Sequence, residues 1–317
     1  NILFLLAVIG FGTKAGFMPL HVWLPYAHPV APSHVSAVMS GVMIKTGLYG
    51  LIRTLSILPT PPAWWCWLLI IIGVVSGILG ILSALVQSDL KRMLAYSSVE
   101  NVGIMTIGLG LGLMGVHLNI PSLAVIGFTA SLLHLANHAL FKGLLFLAAG
   151  SVLHGTGTGR MELLGGLIKR MPCTALTFLI GAIAISGLPP LNGFFSEFLI
   201  YLSVFRNGTG GALVSIIYAL IVIGSLAIIG GLALACFTKA FGIIFLGNPR
   251  SDRTQRAHEA GVPMKFSMAA LAFLCVFFSF FSPMIIKTAA YAVSQITSIS
   301  TDEVKIELAS ASSIMAN

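Results

Sequence analysis

The feature that most constrains this chain is a succession of long, unbroken apolar segments from one end to the other. A helix that crosses a bilayer takes roughly 20 apolar residues. Of the 317 residues, 57% are apolar, enough on that measure for about eight crossings. The runs are continuous, whereas an outer-membrane barrel alternates apolar and polar positions. Charged residues make up only 8% of the chain, against roughly 25% in a soluble domain, and the mean hydropathy is +1.00. These values exclude a water-soluble enzyme, a disordered chain and a nucleic-acid binder. The fold class is all-α, a polytopic bundle of membrane helices.

Hydropathy predicts spans over 2–27, 33–58, 63–87, 91–116, 121–153, 172–205, 211–246 and 262–292. These form a transmembrane unit over 1–292, and 293–317 reads as a Ser-rich polar tail, either a surface helix or disordered. The chain opens on Asn1 inside an apolar segment, so we expect a fragment that lacks its first helices. The net charge of +8 follows from loop composition. The loops after spans three, five and seven carry Lys91, Arg92, Arg160, Lys169, Arg170, Arg250, Arg253, Arg256 and Lys265. Those after spans two, four and six carry Arg206, with Arg53 at a helix end. Basic residues gather on the cytoplasmic side, so the first set is expected inside, with both ends of the eight-span unit outside.

Two spans are broken. Span one contains Gly16-Phe17-Met18-Pro19-Leu20, and span six contains Gly187-Leu188-Pro189-Pro190-Leu191-Asn192-Gly193. Pro19, Pro189 and Pro190 remove backbone donors and clash with the preceding turn, and in hydrocarbon the freed carbonyls need protein or water partners. Pro and Gly are common in membrane helices, but here ionisable residues flank both breaks. Broken helices in matching places of two halves point to an ion site.

An ionisable residue at mid-membrane costs roughly 2.5–3.5 kcal/mol on insertion scales and marks a functional site by default. The spans contain Lys14, Lys45, Glu100, His134, His138, Lys142, Glu197 and Lys239. His134, His138 and Lys142 fall at i, i+4 and i+8, a stripe about 12 Å long that drifts only about 40° per step. Histidine titrates near neutral pH, and a lysine withdrawn from water can release its proton, so the stripe has the composition of a proton relay. The competing reading is two core histidines on backbone carbonyls and one snorkelling lysine. Lys45 is too deep to snorkel easily, and Ser40, Gly41 and Gly47 around it allow close helix approach. Lys239 fits an interfacial role as well as a functional one. Glu100 either pairs with a cation or caps the polar stretch Tyr96-Ser97-Ser98.

Other signals are weaker. His134 and His138 have no third ligand at metalloprotease spacing, so no metal is expected. The stretch His154-Gly155-Thr156-Gly157-Thr158-Gly159-Arg160 has neither a preceding strand nor a Walker lysine and reads as a loop. The four cysteines are far apart in apolar surroundings, and no CxxC, flavin or haem signature occurs. No cofactor or redox centre of the chain's own is expected.

Several motifs carry a family resemblance. His21-Val22-Trp23-Leu24-Pro25-Tyr26-Ala27-His28 with Ala31-Pro32-Ser33 and Val35-Ser36-Ala37, Asp89 through Ser98, and His134-x3-His138-x2-Phe141-Lys142-Gly143-x2-Phe146-Leu147 resemble the antiporter-like membrane subunits of complex I, group 4 hydrogenases and multisubunit cation/proton antiporters. Tyr96 to Gly103 and Pro189 to Gly193 look most like the large membrane subunit of hydrogenase-4 or formate hydrogenlyase. The resemblance implies a fourteen-helix fold of two inverted five-helix repeats, with these eight spans as helices seven to fourteen. It places Lys14, Lys45, Lys142 and Glu197 among proton-channel residues and His134 and His138 as connectors. The helix whose glutamate would pair with Lys14 is missing, and some relatives carry lysine where Glu197 stands. The implied function is proton translocation beside other membrane subunits and a peripheral hydrogenase or dehydrogenase arm, in the inner membrane of a bacterium. A sodium/proton antiporter subunit and a non-pumping anchor are the alternatives.

Overall fold

In the computed structural model the described residues are 1–208 and 213–316, and they are almost entirely helical. The order is α1 (Ile2–Ala15), α2 (Trp23–Val30), α3 (Ser33–Val38), a π turn (Met39–Met43), α4 (Ile44–Leu55), α5 (Ala63–Leu85), α6 (Leu90–Leu118) and α7 (Pro121–Thr156). Then come α8 (Pro172–Ile185), α9 (Asn192–Gly208), α10 (Leu213–Phe245), the single turn α11 (Asp252–Gln255), α12 (Val262–Phe280), α13 (Ser282–Thr288), α14 (Ala290–Thr297) and α15 (Thr301–Ala316). Among the described residues, 6 helices are long and apolar enough to cross a membrane, counting Ser33–Leu55 as one. The pairs α1–α2 and α8–α9 stand where the two predicted broken spans lie, with α1 and α8 as shorter apolar helices. The predicted start of span seven at Gly211, and the chain's last residue Asn317, lie outside the described residues.

Local chemistry explains the boundaries. The Asp89 side chain caps α6 by accepting the Arg92 N–H at 2.9 Å, filling one of the donors a helix start leaves open. Proline opens α7, α8 and α12, where its missing N–H has no role. At the first break Gly16 ends α1 with φ 92°, a left-handed conformation that costs glycine little. The predicted eighth span divides, since α12 stops at Phe280 and α13 begins beside Pro283. Pro283 has no N–H to continue the ladder and its ring displaces the turn before it. The 293–317 tail is helical over α15, and Val304, Leu308 and Ala311 on it are buried in the core.

Two helices organise the interior. Helix α6 is buried almost throughout, with α5 on one flank and α7 on the other. The α5–α6 approach is close because Gly73 and Gly77 face Gly103, the small-residue packing that substitutes for hydrophobic drive in lipid. Helix α7 touches α3, the π turn, α8, α9 and α12 around its circumference.

The loops gather as the charge pattern predicts. Leu90 N–H donates to Gly159 O at 3.0 Å, Met161 N–H to Ser88 O at 2.9 Å, and Gly166 N–H to Leu246 O at 2.9 Å. This joins the three Lys/Arg-rich loops at one end, hereafter the basic end. At the opposite end Asn1 Oδ1 accepts from Trp65 Nε1 at 3.1 Å, and Ser122 Oγ donates to Asn207 Oδ1 at 2.7 Å.

Candidate functional site

The site grows from the α7 stripe, where His134, His138 and Lys142 are all buried. Lys45 enters from the first residues of α4 and its Nζ lies 2.5 Å from His138 Nδ1. It also donates to the carbonyl of Ser40. Ser40 belongs to the π turn, and such turns recur where a helix must re-aim a side chain or carbonyl at a functional site. Two bases at this separation share one proton between them. Either Lys45 donates to Nδ1, as ammonium or as neutral amine, or an Nδ1–H donates to the neutral amine.

Lys142 is reached through α6. Its Nζ donates to Leu94 O at 2.8 Å and to Ser97 Oγ at 2.6 Å. The Ser98 hydroxyl donates to the same carbonyl at 3.0 Å and lies 2.8 Å from Ser40 Oγ. A hydroxyl has one proton, so with Ser98 donating to Leu94, Ser40 is the donor to Ser98. The two lysines are thereby tied through Ser40, Ser98 and the Leu94 carbonyl.

The stripe continues toward the second break. The Asn101 amide nitrogen donates to Ser97 O at 2.9 Å and to Glu100 Oε2 at 2.8 Å. Its oxygen lies 3.1 Å from His134 Nε2. An amide oxygen only accepts, so His134 carries its proton on Nε2; its Nδ1 lies 2.9 Å from Ser196 Oγ, whose hydroxyl is also within reach of the Gly193 carbonyl at 2.9 Å. Asn137 and Asn192 exchange bonds, Nδ2 to the Asn192 carbonyl at 2.7 Å and Asn192 Nδ2 to Asn137 Oδ1 at 3.2 Å. Asn192 is the first residue of α9, so this pair fixes the second break against the histidine stripe. Glu197, next to Ser196, is half-buried and lines a cavity of about 230 Å³ with Ser186, Gly187 and Tyr201. Gly187 has φ 62°, and a Cβ there would stand 2.7 Å from the Glu197 carboxylate, so glycine both makes the turn and leaves the acid its room.

Six of the eight predicted residues therefore lie on or beside one polar file: Lys45, His138, Lys142, Glu100, His134 and Glu197. Two do not. Lys14 is exposed at the C-terminal turn of α1, where a cation complements the helix dipole. Lys239 is exposed near the basic end and donates to Leu85 O at 2.7 Å, closing the last turn of α5. Sequence reasoning missed the neutral links Asn101, Asn137, Asn192 and Ser196. The available signal was three amides inside apolar runs or at a proline break, each needing a partner in hydrocarbon.

Residues 1–224 match the family described as NADH:quinone oxidoreductase/Mrp antiporter, TM. Hydrogenase-4 component B of Escherichia coli (strain K12) is 49% identical over 276 residues, covering 86% of this chain and 41% of that protein. Formate hydrogenlyase subunit 3 of the same organism is 42% identical over 292 residues, covering 92% and 48%. The chain thus spans less than half the length of these curated relatives. The solved Mrp complex from Dietzia sp. DQ12-45-1b superposes with a TM-score of 0.81 at 20% identity, over 96% of this chain and 60% of that one. At that identity the likeness speaks for the fold.

Proposed function

The chain belongs to the NADH:quinone oxidoreductase/Mrp antiporter membrane family, and we propose that it relays protons across the membrane as one subunit of a larger complex. The observation that carries this reading is the buried file joining Lys45 and His138 to Lys142, His134 and the second break through hydroxyls and amides. Six ionisable groups at membrane depth are expensive to keep, and a conducting file gives them a common use. Proton steps run between Lys45 and His138, and between Lys142 and its hydroxyl neighbours. From there they pass along His134 to Glu197, with water bridging the stretches bounded by carbonyls.

The identity to hydrogenase-4 and formate hydrogenlyase subunits favours a redox complex over a free-standing antiporter. In that setting the partners are other membrane subunits and, through them, a peripheral hydrogenase or dehydrogenase arm, in the inner membrane of a bacterium. Redox chemistry in the arm shifts charge beside the file and so biases which lysine holds the proton. Lys14 joins this path on the resemblance alone, as the entry residue of the first half.

The test is Lys142→Ala in the full-length protein within its complex, reading proton movement in sealed vesicles. Loss of movement by about a hundredfold or more is expected for removal of an essential proton carrier, with the complex still assembled. Unchanged movement in an assembled complex overturns the assignment.

A further inference from the structure

Two cations at the basic end have no acidic partner among the described residues. Lys239 on α10 and Arg250 just beyond it face one pocket of about 360 Å³, closed by the turn after α5 and the loop after α7. Their own bonds go to backbone, Lys239 Nζ to Leu85 O at 2.7 Å and Arg250 Nη1 to Ile243 O at 3.4 Å. Glu162 also lines the pocket, but Arg160 draws its carboxylate to 3.5 Å. With that acid matched, the charge left facing the pocket is positive. The Ser88 hydroxyl, exposed on the same wall, adds a neutral donor.

Apolar surface leads into the pocket from the membrane. Helices α5 and α10 run side by side toward it and touch where Gly77 packs against Ile229. On α5 the exposed residues Val75, Leu79, Leu82 and Val86 recur at i, i+4, i+7 and i+11, which is one face of a helix. That stripe ends beside Ser88. On α10 the exposed Ile228 and Ala235 precede Lys239 by eleven and four positions, again on one face. At 1.5 Å per residue each stripe is about 16 Å long, one leaflet of a hydrocarbon core of about 30 Å. A charged pocket thus sits at the foot of a lipid-facing seam one leaflet deep, on the inner side by the charge rule.

We propose that this pocket binds the phosphodiester headgroup of an anionic phospholipid of the inner leaflet, whose acyl chains lie along the α5–α10 seam. Lys239 meets the phosphate as a point charge and Arg250 through paired N–H groups, with Ser88 donating to the headgroup. A basic pocket between helices on the cytoplasmic face has the chemistry for such a lipid. Free phosphate would use the same donors and leave the seam unused. A choline headgroup would bring its own cation against both side chains. The bound lipid ties the turn after α5, the loop after α7 and the loop after α10 together. Lys239 and Arg250 lie off the polar file, so the site stands or falls independently of the relay.

The experiment uses the full-length protein in its complex, in phosphatidylcholine vesicles with a trace of lipid carrying a diazirine in its acyl chain. The tracer is phosphatidylglycerol or phosphatidylcholine, and mass spectrometry locates the peptides it labels on illumination. A cation beside an anionic headgroup raises affinity about fivefold. Labelling of α5 and α10 should therefore favour the phosphatidylglycerol tracer about tenfold or more, with no preference at the exposed Phe273 and Phe280 of α12, toward the opposite end. Lys239→Gln with Arg250→Gln should remove the preference, and Glu162→Gln, which deletes the opposing charge, should raise it. Unlabelled phosphatidylglycerol should compete; inorganic phosphate should not. Equal labelling by the two tracers, no labelling of α5 and α10, or a preference that survives the double variant overturns the site. So does a weaker preference in Glu162→Gln. Displacement by inorganic phosphate would assign the pocket to a free anion and overturn the lipid. Should the double variant fail to assemble, the unsubstituted complex decides. Its preference should fall in about 1 M salt, where charges are screened within about 3 Å, and a salt-independent preference overturns the role of the two cations.

Discussion

The two broken spans look alike in sequence and differ in what they touch. At the first break a serine hydroxyl and an indole meet the freed backbone. Met18 N–H donates to Ser76 Oγ at 3.0 Å, and Trp23 Nε1 donates to Thr13 O at 2.8 Å. Lys14 stands there on the outside of the bundle. At the second break the partners are Asn137 and, through Ser196, His134, and the nearby acid lines a cavity. A proline break alone thus makes no site. It becomes one when the segment that resumes the helix is bonded to titratable or amide groups of a buried neighbour.

The strongest way to break this contrast is to cut the bonds at the second break. Asn137→Leu leaves the amide of Asn192 without its exchange partner in a buried setting, a loss of about 1–3 kcal/mol. Proton movement should fall at least tenfold, the change that about 1.4 kcal/mol produces, while Asn137→Asp retains part of it. Normal transport by Asn137→Leu would show that the second break is no more coupled than the first. Next in size is Glu197→Gln, which keeps the shape and removes the proton-carrying group. A loss of about tenfold is expected, with assembly intact, because Gln fits the space that Gly187 leaves. The paired measurement is Lys14→Gln in the full-length protein, which as the proposed entry residue of the first half should slow proton movement about as much as Glu197→Gln. A change within about twofold, well below the range of a lost proton carrier, would instead take Lys14 off the path and leave it a surface cation.

Much of this was legible in the sequence because the bilayer imposes simple rules. Length and hydropathy gave the spans, proline gave both breaks, and loop charge placed three loops at one end, where hydrogen bonds join them. The stripe on α7 was readable because helical geometry fixes which residues share a face. The rotation of α1 was not readable: Lys14 satisfies every sequence criterion that Lys45 does, and only packing decides that one points outward and the other inward. The bridging residues escaped for a different reason. Asn101, Asn137 and Ser196 carry no charge, so a reading that weighs charges alone passes over them, although hydrocarbon demands partners for amides too. The division of the last span followed from Pro283, a residue in plain view among apolar neighbours that mask it in a hydropathy average.

Lys239 offers the finest test of whether an intramembrane cation belongs to the file or only to the scaffold. Its Nζ reaches Leu85 O, one of the carbonyls that a helix end leaves without an internal partner. Replacing it with methionine keeps the aliphatic stem and deletes the donor. An exposed bond of this kind is worth about 0.5–1.5 kcal/mol, so the complex should lose a few degrees of thermal stability at most. Proton movement per assembled complex should be unchanged, because no residue of the file bonds to Lys239 among the described residues. Arg in its place should restore the stability, since a guanidinium also donates to that carbonyl, although its planar head differs in shape. Should Lys239→Met slow proton movement without affecting stability, the file extends to the basic end through α10, and the boundary drawn here between the second break and the scaffold moves with it.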